Sequence, residues 1–165
     1  MMSFPFLIRA EVAADSDCVE ALLDIAFGPG RFAKTAYRLR EGVPHDAALS
    51  FVALAGSRLV GSVRLTPILI GEAPALLLGP LAVHPDFEGR GAGRALVRAS
   101  LDAARGRGHG IVMLVGDPPY YGPLGFEPVA LGQVTLPGPV DPRRILVATL
   151  QPGVVAAGAA RRIAG

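Results

Sequence analysis

The 165-residue chain has one cysteine, Cys18, one lysine, Lys34, and three histidines, His45, His84 and His109, that stand far apart. A single thiol excludes an intramolecular disulfide and any zinc site built on cysteines. The histidines have no ligand spacing, so no metal is expected. Charged residues are scarce at 18% and hydrophobic residues abundant at 51%, a balance that excludes intrinsic disorder. Long apolar runs are missing too: the run from Ala75 to Leu78 is broken by Gly79 and Pro80, well short of the roughly 20 residues a membrane helix needs. The apolar stretch before Arg9 and Glu11 is too short for a signal-peptide core, so a soluble, cytoplasmic protein without membrane partners is expected.

The length fits one domain, and a chain of this mass can bury roughly 70% of its unfolded surface, so no disulfide or metal staple is required. A formal charge of +2 is too mild to imply nucleic acid. The basic run Arg105-Gly106-Arg107 also lacks the interleaved aromatics of a nucleic-acid binder. Charge is concentrated locally instead. Arg90, Arg94, Arg98, Arg105 and Arg107 face only Glu88 and Asp102 in that stretch, which points to an anionic ligand.

Apolar spacing predicts a strand over Phe6 to Val12. A helix capped by Asp15 follows, burying Val19, Leu22, Leu23 and Ala26. A short second helix is expected between Gly28 and Pro44. Strands at 49–54 and 59–65 flank a glycine-bearing turn and form a hairpin. A connection from Pro67 to Pro74 leads to a strand at 76–83, and a glycine-rich loop then opens a helix with Ala92, Ala95, Leu96, Ala99 and Ala103 on one face. Ile111 to Val115 suits a central strand, 125–129 and 144–150 read as two more, and 151–165 is an Ala/Gly/Val-rich tail. The fold class is α/β (α+β), a mixed, mainly antiparallel sheet of about six to seven strands flanked by helices.

The segment Leu81 to Leu96 carries the chemistry. An apolar strand runs into Gly89-x-Gly91-x-Gly93 and directly into a helix, whose first-turn amides have no internal partners and suit a phosphate. The dinucleotide fingerprint fails on spacing, and the Gly-Lys followed by Ser or Thr of a Walker loop is absent. Leu81-Ala82-Val83-His84-Pro85-Asp86-Phe87-Glu88-Gly89-Arg90-Gly91-Ala92-Gly93-Arg94 resembles the signature of the GCN5-related N-acetyltransferases (GNAT). Glu88 stands where that family has Gln or Arg. Downstream, Gly116-Asp117-Pro118-Pro119-Tyr120-Tyr121-Gly122-Pro123-Leu124-Gly125-Phe126 is similar to the family's aromatic-Tyr-x-x-x-Gly-Phe element, in the form of its YhbS-like branch.

The resemblance spans about residues 4–150 as one acetyltransferase domain, with 151–165 as an extension. It implies that the fourth and fifth strands splay to admit acetyl-CoA as cosubstrate. The pyrophosphate would rest on the amides of Arg90, Gly91, Ala92, Gly93 and Arg94, with Glu88 and Gly89 also in the cofactor-binding loop, and pantetheine would pair as an added strand with Leu81, Ala82 and Val83. Tyr121 matches the family's acid position, protonated at neutral pH with an ordinary pKa of about 10, and Tyr120 is expected to pack. Phe27, Arg31, Phe32, Arg38 and Arg40 border the implied acceptor cleft, with surface placement the alternative.

The implied activity is direct acetyl transfer to a primary amine of a small molecule or peptide in a ternary complex, because no activated nucleophile is visible. His84, Glu127 or water remain open as the base. A non-catalytic acyl-CoA-binding or sensor domain is the alternative function, and a homodimer is compatible with the sequence.

Overall fold

In the computed structural model, which describes residues 5–163, β1 (Leu7–Ala10) lies antiparallel to β2 (Phe51–Ala55), with Leu7 opposite Leu54. Phe4 and the last two residues of the tail lie outside the described residues. A turn at Gly56, φ 61°, joins β2 to β3 (Arg58–Ile70) in a left-handed conformation that glycine adopts without a Cβ penalty. Between β1 and β2 runs α1 (Ser16–Phe27), whose Val19, Leu22 and Leu23 pack on Val52 and Ala82 of the sheet. Asp15 does not cap it. Its carboxylate instead accepts from the Val12 amide at 2.8 Å and pairs with Arg9 at 2.7 Å, which closes the turn that leads into the helix. The expected second helix is a 3-10 turn at Pro29–Ala33 followed by one short turn, α2 (Thr35–Arg38).

β3 continues antiparallel into β4 (Ala73–Val83). The expected connection from Pro67 to Pro74 is largely strand. Pro67 pairs with Leu76 inside the ladder, and only Gly71 and Glu72 turn the chain. Proline is tolerated there because β2 pairing ends at Val63 and the next partner on that flank begins at Ile68, so one flank has no partner strand. From β4 the chain crosses through α3 (Ala92–Gly106) to β5 (Ile111–Val115), which lies parallel to β4 as such a crossover requires. Ala92, Leu96, Val97, Leu101 and Ala104 bury one face of α3. Leu96 Cδ1 would stand 3.0 Å from a Cβ at Gly61, so the glycine lets α3 sit close on β3.

The remaining elements are α4 (Pro118–Tyr121), β6 (Glu127–Pro128), β7 (Val134–Thr135), β8 (Ile145–Thr149) and β9 (Gly158–Arg162). The order is β1-β2-β3-β4-β5-β8-β6, with β9 on β3 and β7 on β9. All seven expected strands are present, and the sheet gains β7 and β9. β9 lies within the expected extension: it pairs with Ile68–Ile70 and buries Ala160, which ties Gly158–Arg162 to the sheet. Alanine and glycine there allow close approach, and Gly71 and Gly158 touch backbone to backbone.

The sheet is mixed and open at one place. β4 and β5 pair only at Leu76 with Val112 and Leu77 with Met113. Just beyond, Leu78 pairs with Leu65 and Leu81 with Val63, so Gly79 and Pro80 bulge opposite Arg64 alone. A bulge bends its strand, and β4 leaves β5 at that point, as the expected splay requires.

Candidate active site

Two concavities meet at Leu81, on the part of β4 that has left β5. The first is a groove of about 490 Å³ at the start of α3, walled by Leu81, Val83, Phe87, Glu88, Gly89, Gly91, Ala92, Gly93 and Arg94, with Tyr120 across it. Gly89 and Gly91 hold φ of 75° and 90°, left-handed values that steer the chain into the helix. Among the described residues no side chain caps α3, and its first intrahelical bond is Ala95 N–H to Gly91 C=O at 3.1 Å. The preceding amides of Ala92, Gly93 and Arg94 therefore lack intrahelical acceptors, and the helix dipole adds partial positive charge. Arg94 lies over the Tyr120 ring at 5.9 Å and Arg90 over Phe87 at 5.4 Å. Neither forms an ion pair among the described residues. Ala82 is buried toward α1, so only its backbone can serve the groove.

The second concavity is a cavity of about 420 Å³ between α1, the α2 region, β4 and β5. Leu78, Gly79, Pro80, Leu114 and Val115 border the splay, and Tyr121 closes one side. Burial pushes the Tyr121 hydroxyl up to about 12, helped by the proximity of Tyr120 and Asp117. Its ring is held edge-on by Phe126 at 5.9 Å and Tyr120 at 4.8 Å. The two tyrosines are adjacent in sequence yet serve different concavities. A Cβ at Gly93 would lie 2.5 Å from the Tyr120 hydroxyl, so Tyr120 crosses the groove rather than simply packing.

Phe27 and Arg31 line the cavity together with Phe32 and Arg40. Arg38 does not: it donates to the Pro137 carbonyl at 2.8 Å and fastens α2 to the loop before Val140. Neither expected base faces the cavity. His84 accepts from the Asp86 amide at 3.1 Å through Nδ1 and meets Arg58 at 3.1 Å through Nε2, while Glu127 lies exposed on β6 at the far edge of the sheet. The carboxylate and imidazole groups that do face it are Glu20, His45 and Asp117. Glu20 is held by Arg64 at 2.9 Å and Arg31 at 2.8 Å. Arg64 also forks onto buried Glu11 at 3.1 and 2.9 Å, and His45 Nε2 lies 3.4 Å from Glu11. Burial lowers the His45 pKa, against partial compensation from Glu11. The pairing of Glu11 with Arg64 spans 53 residues and left no signal in the sequence.

A groove of free amides joined to a cavity at a splayed parallel pair is the arrangement of an acyl-CoA-dependent acyltransferase, and the comparisons give that class its name. Residues 17–122 match the Acetyltransferase (GNAT) family. The N-acetyltransferase YhbS of Escherichia coli K12, itself described as uncharacterized, is 33% identical over 126 residues, 73% of each chain. YjhQ of the same organism, likewise described as an uncharacterized N-acetyltransferase, is 32% identical over 130 residues, 76% of this chain and 71% of YjhQ. A crystal structure of Escherichia coli YhbS in complex with CoA superposes with a TM-score of 0.81 at 27% identity, covering 99% of this chain and 92% of that one. A Brucella melitensis GNAT acetyltransferase in complex with acetyl-CoA shares the fold, with a TM-score of 0.71 at 24% identity and 98% coverage of both chains. The chain belongs to the GNAT acetyltransferase family.

Proposed function

We propose that the chain binds acetyl-CoA in the groove and transfers its acetyl group to a primary amine held in the cavity, the amine attacking directly within a ternary complex. The observation that carries this reading is the junction at Leu81, where a row of unpartnered amides meets a cavity closed by a half-buried tyrosine. The groove fits the diphosphate of CoA. It offers the Ala92, Gly93 and Arg94 amides, two left-handed glycines without side chains to block approach, and the unpaired cations Arg90 and Arg94. Exposed Glu88, in a position where the family has Gln or Arg, leaves that amide cradle in place. The pantetheine arm has the edge of β4 beyond Leu77, which lacks a β5 partner and can accept an added strand along Leu81, Ala82 and Val83. The relative YhbS, solved with CoA, supports the same ligand here.

Acetyl-CoA supplies an acyl carbon already activated as a thioester. In the cavity, the amine nitrogen bonds to that carbon, the C–S bond breaks, and the ammonium proton must leave. His45 is our choice of acceptor, since its lowered pKa keeps the imidazole neutral at pH 7. Tyr121 serves the departing sulfur. A hydroxyl held near 12 remains protonated, but a full transfer to a thiolate of ordinary pKa about 8.5 is uphill. Tyr121 therefore donates a hydrogen bond to the sulfur as its charge develops, and solvent completes the thiol.

The test is thiol release from acetyl-CoA across a diverse panel of amines. Turnover with at least one amine supports the reading. Tight CoA binding with every amine silent would favour a non-catalytic sensor.

A further inference from the structure

Among the described residues, Arg40 is the one arginine of the cavity wall without an anionic partner. Arg31 has Glu20 and Asp24, Arg64 has Glu11 and Glu20, and Arg144 has Asp117 at 3.4 Å. Among the described residues, no carboxylate or carbonyl lies within hydrogen-bonding distance of the Arg40 guanidinium. Its one contact of note is the Tyr37 ring, 5.8 Å away. The head group is not on the open surface: it reaches the bulge of β4, where a Cβ at Gly79 would lie 3.4 Å from its Nη1. Burial and the neighbouring Arg64 and Arg31 pull its pKa down to about 10, the direction expected of a cation short of a counter-charge. An unpaired, desolvated guanidinium is costly to maintain.

The charge balance points the same way. Lys34, the remaining wall cation, rides over the Phe27 ring at 4.8 Å on the exposed rim. The four carboxylates at or behind the wall, Glu11, Glu20, Asp24 and Asp117, are each already paired with Arg31, Arg64 or Arg144, which leaves none to answer Arg40. A monoanion fills that deficit, and a planar carboxylate matches the two-pronged face of a guanidinium.

We propose that Arg40 anchors a carboxylate of the acceptor, so that the amine acetylated belongs to a molecule that also carries a carboxylate, as amino acids do. This rests on the acetyltransferase reading and names its substrate class. Held beside Gly79, such an acceptor keeps its amine next to the part of β4 that has left β5.

The experiment measures thiol release from acetyl-CoA with each primary-amine L-amino acid and its C-terminal amide. It is run on the wild type, Arg40→Gln and Arg40→Lys, with calorimetric CoA titration and the thermal midpoint of each protein alongside. The wild type should prefer at least one acid over its amide by about 10- to 100-fold in kcat/KM, mostly through KM. Arg40→Gln should erase that preference while holding CoA affinity and leaving the midpoint no lower than that of the wild type, and Arg40→Lys should restore part of the preference. Amides accepted as well as acids, a preference surviving in Arg40→Gln, or CoA binding with every acid silent would each overturn the assignment and leave CoA binding standing. Absence of CoA binding would overturn the acetyltransferase reading, and this assignment with it.

Discussion

The Tyr121 ring occupies the space that a side chain at residue 116 would need: a Cβ at Gly116 would fall 2.5 Å from Tyr121 Cε2 and 2.9 Å from Leu114 Cδ1. Gly116 directly follows β5, and its amide is tied to the Arg144 carbonyl at 2.9 Å, so its backbone cannot retreat freely. The glycine thereby sets where the tyrosine hydroxyl sits. Gly116→Ala should cost about 1–3 kcal/mol of stability through overpacking and lower kcat by displacing Tyr121, with CoA affinity held within about twofold. Denaturant melts and steady-state kinetics check both halves.

Tyr121→Phe keeps the ring between Tyr120 and Phe126 and removes only the hydroxyl. The loss of one hydrogen bond to a developing charge should lower kcat by about 10- to 100-fold, leaving KM for acetyl-CoA and the thermal midpoint nearly unchanged. Because the wild-type hydroxyl titrates near 12, its ionisation contributes no break to the rate profile below about pH 10. Stability should fall as pH rises from about 10 toward 12, since the folded state holds the proton that the unfolded chain gives up.

His45 carries the acid side of the pH dependence. Its lowered pKa means that the neutral base is lost only below the ordinary value of 6.5. Log kcat/KM for the amine should therefore steepen below pH 6.5, where both amine and imidazole hold protons. In His45→Gln the steepening should vanish, and the rate at pH 8 should drop by about 100-fold. An unchanged profile would remove His45 from the reaction.

The Asp15–Arg9 pair should govern acid stability at the entry to α1. Arg9 and the Val12 amide hold the Asp15 carboxyl down to about 2 from an ordinary 3.8. A depressed carboxylate contributes stability that is present above its unfolded value and lost as pH falls through the folded one. Unfolding free energy of the wild type should decline between about pH 4 and pH 2. Asp15→Asn should be less stable at pH 7 and show a flatter curve across that window.

Legibility in the sequence follows the range of the interactions that hold each element. The seven strands were legible because each is a short apolar run bounded by glycine, proline or charge, and the α3 cradle because three glycines and a helical stripe lie within one continuous segment. β9 was not legible: Gly158–Arg162 has a strand's environment only because Ile68–Ile70 offers an edge some 90 residues away. The cavity was half legible. Phe27 and Arg31 follow from their place at and just after the end of α1, but Arg38 and Arg40 are two residues apart at the end of a short helical turn and just beyond it, and sequence could not say which one faces inward. His45 came from a loop without pattern, held by a buried Glu11 whose partner Arg64 lies on another strand. Tyr120 looked like packing because its position over Gly93 depends on how α4 docks against α3.

The most direct measurement titrates CoA and pantetheine separately into purified protein by calorimetry at low and moderate salt. If the amides of Ala92, Gly93 and Arg94 hold the diphosphate, CoA should bind at least about 100-fold more tightly than pantetheine, as expected for several charge-assisted hydrogen bonds, and the gap should narrow as salt rises. Equal affinity for the two, or no heat from CoA at millimolar concentration, would contradict the account.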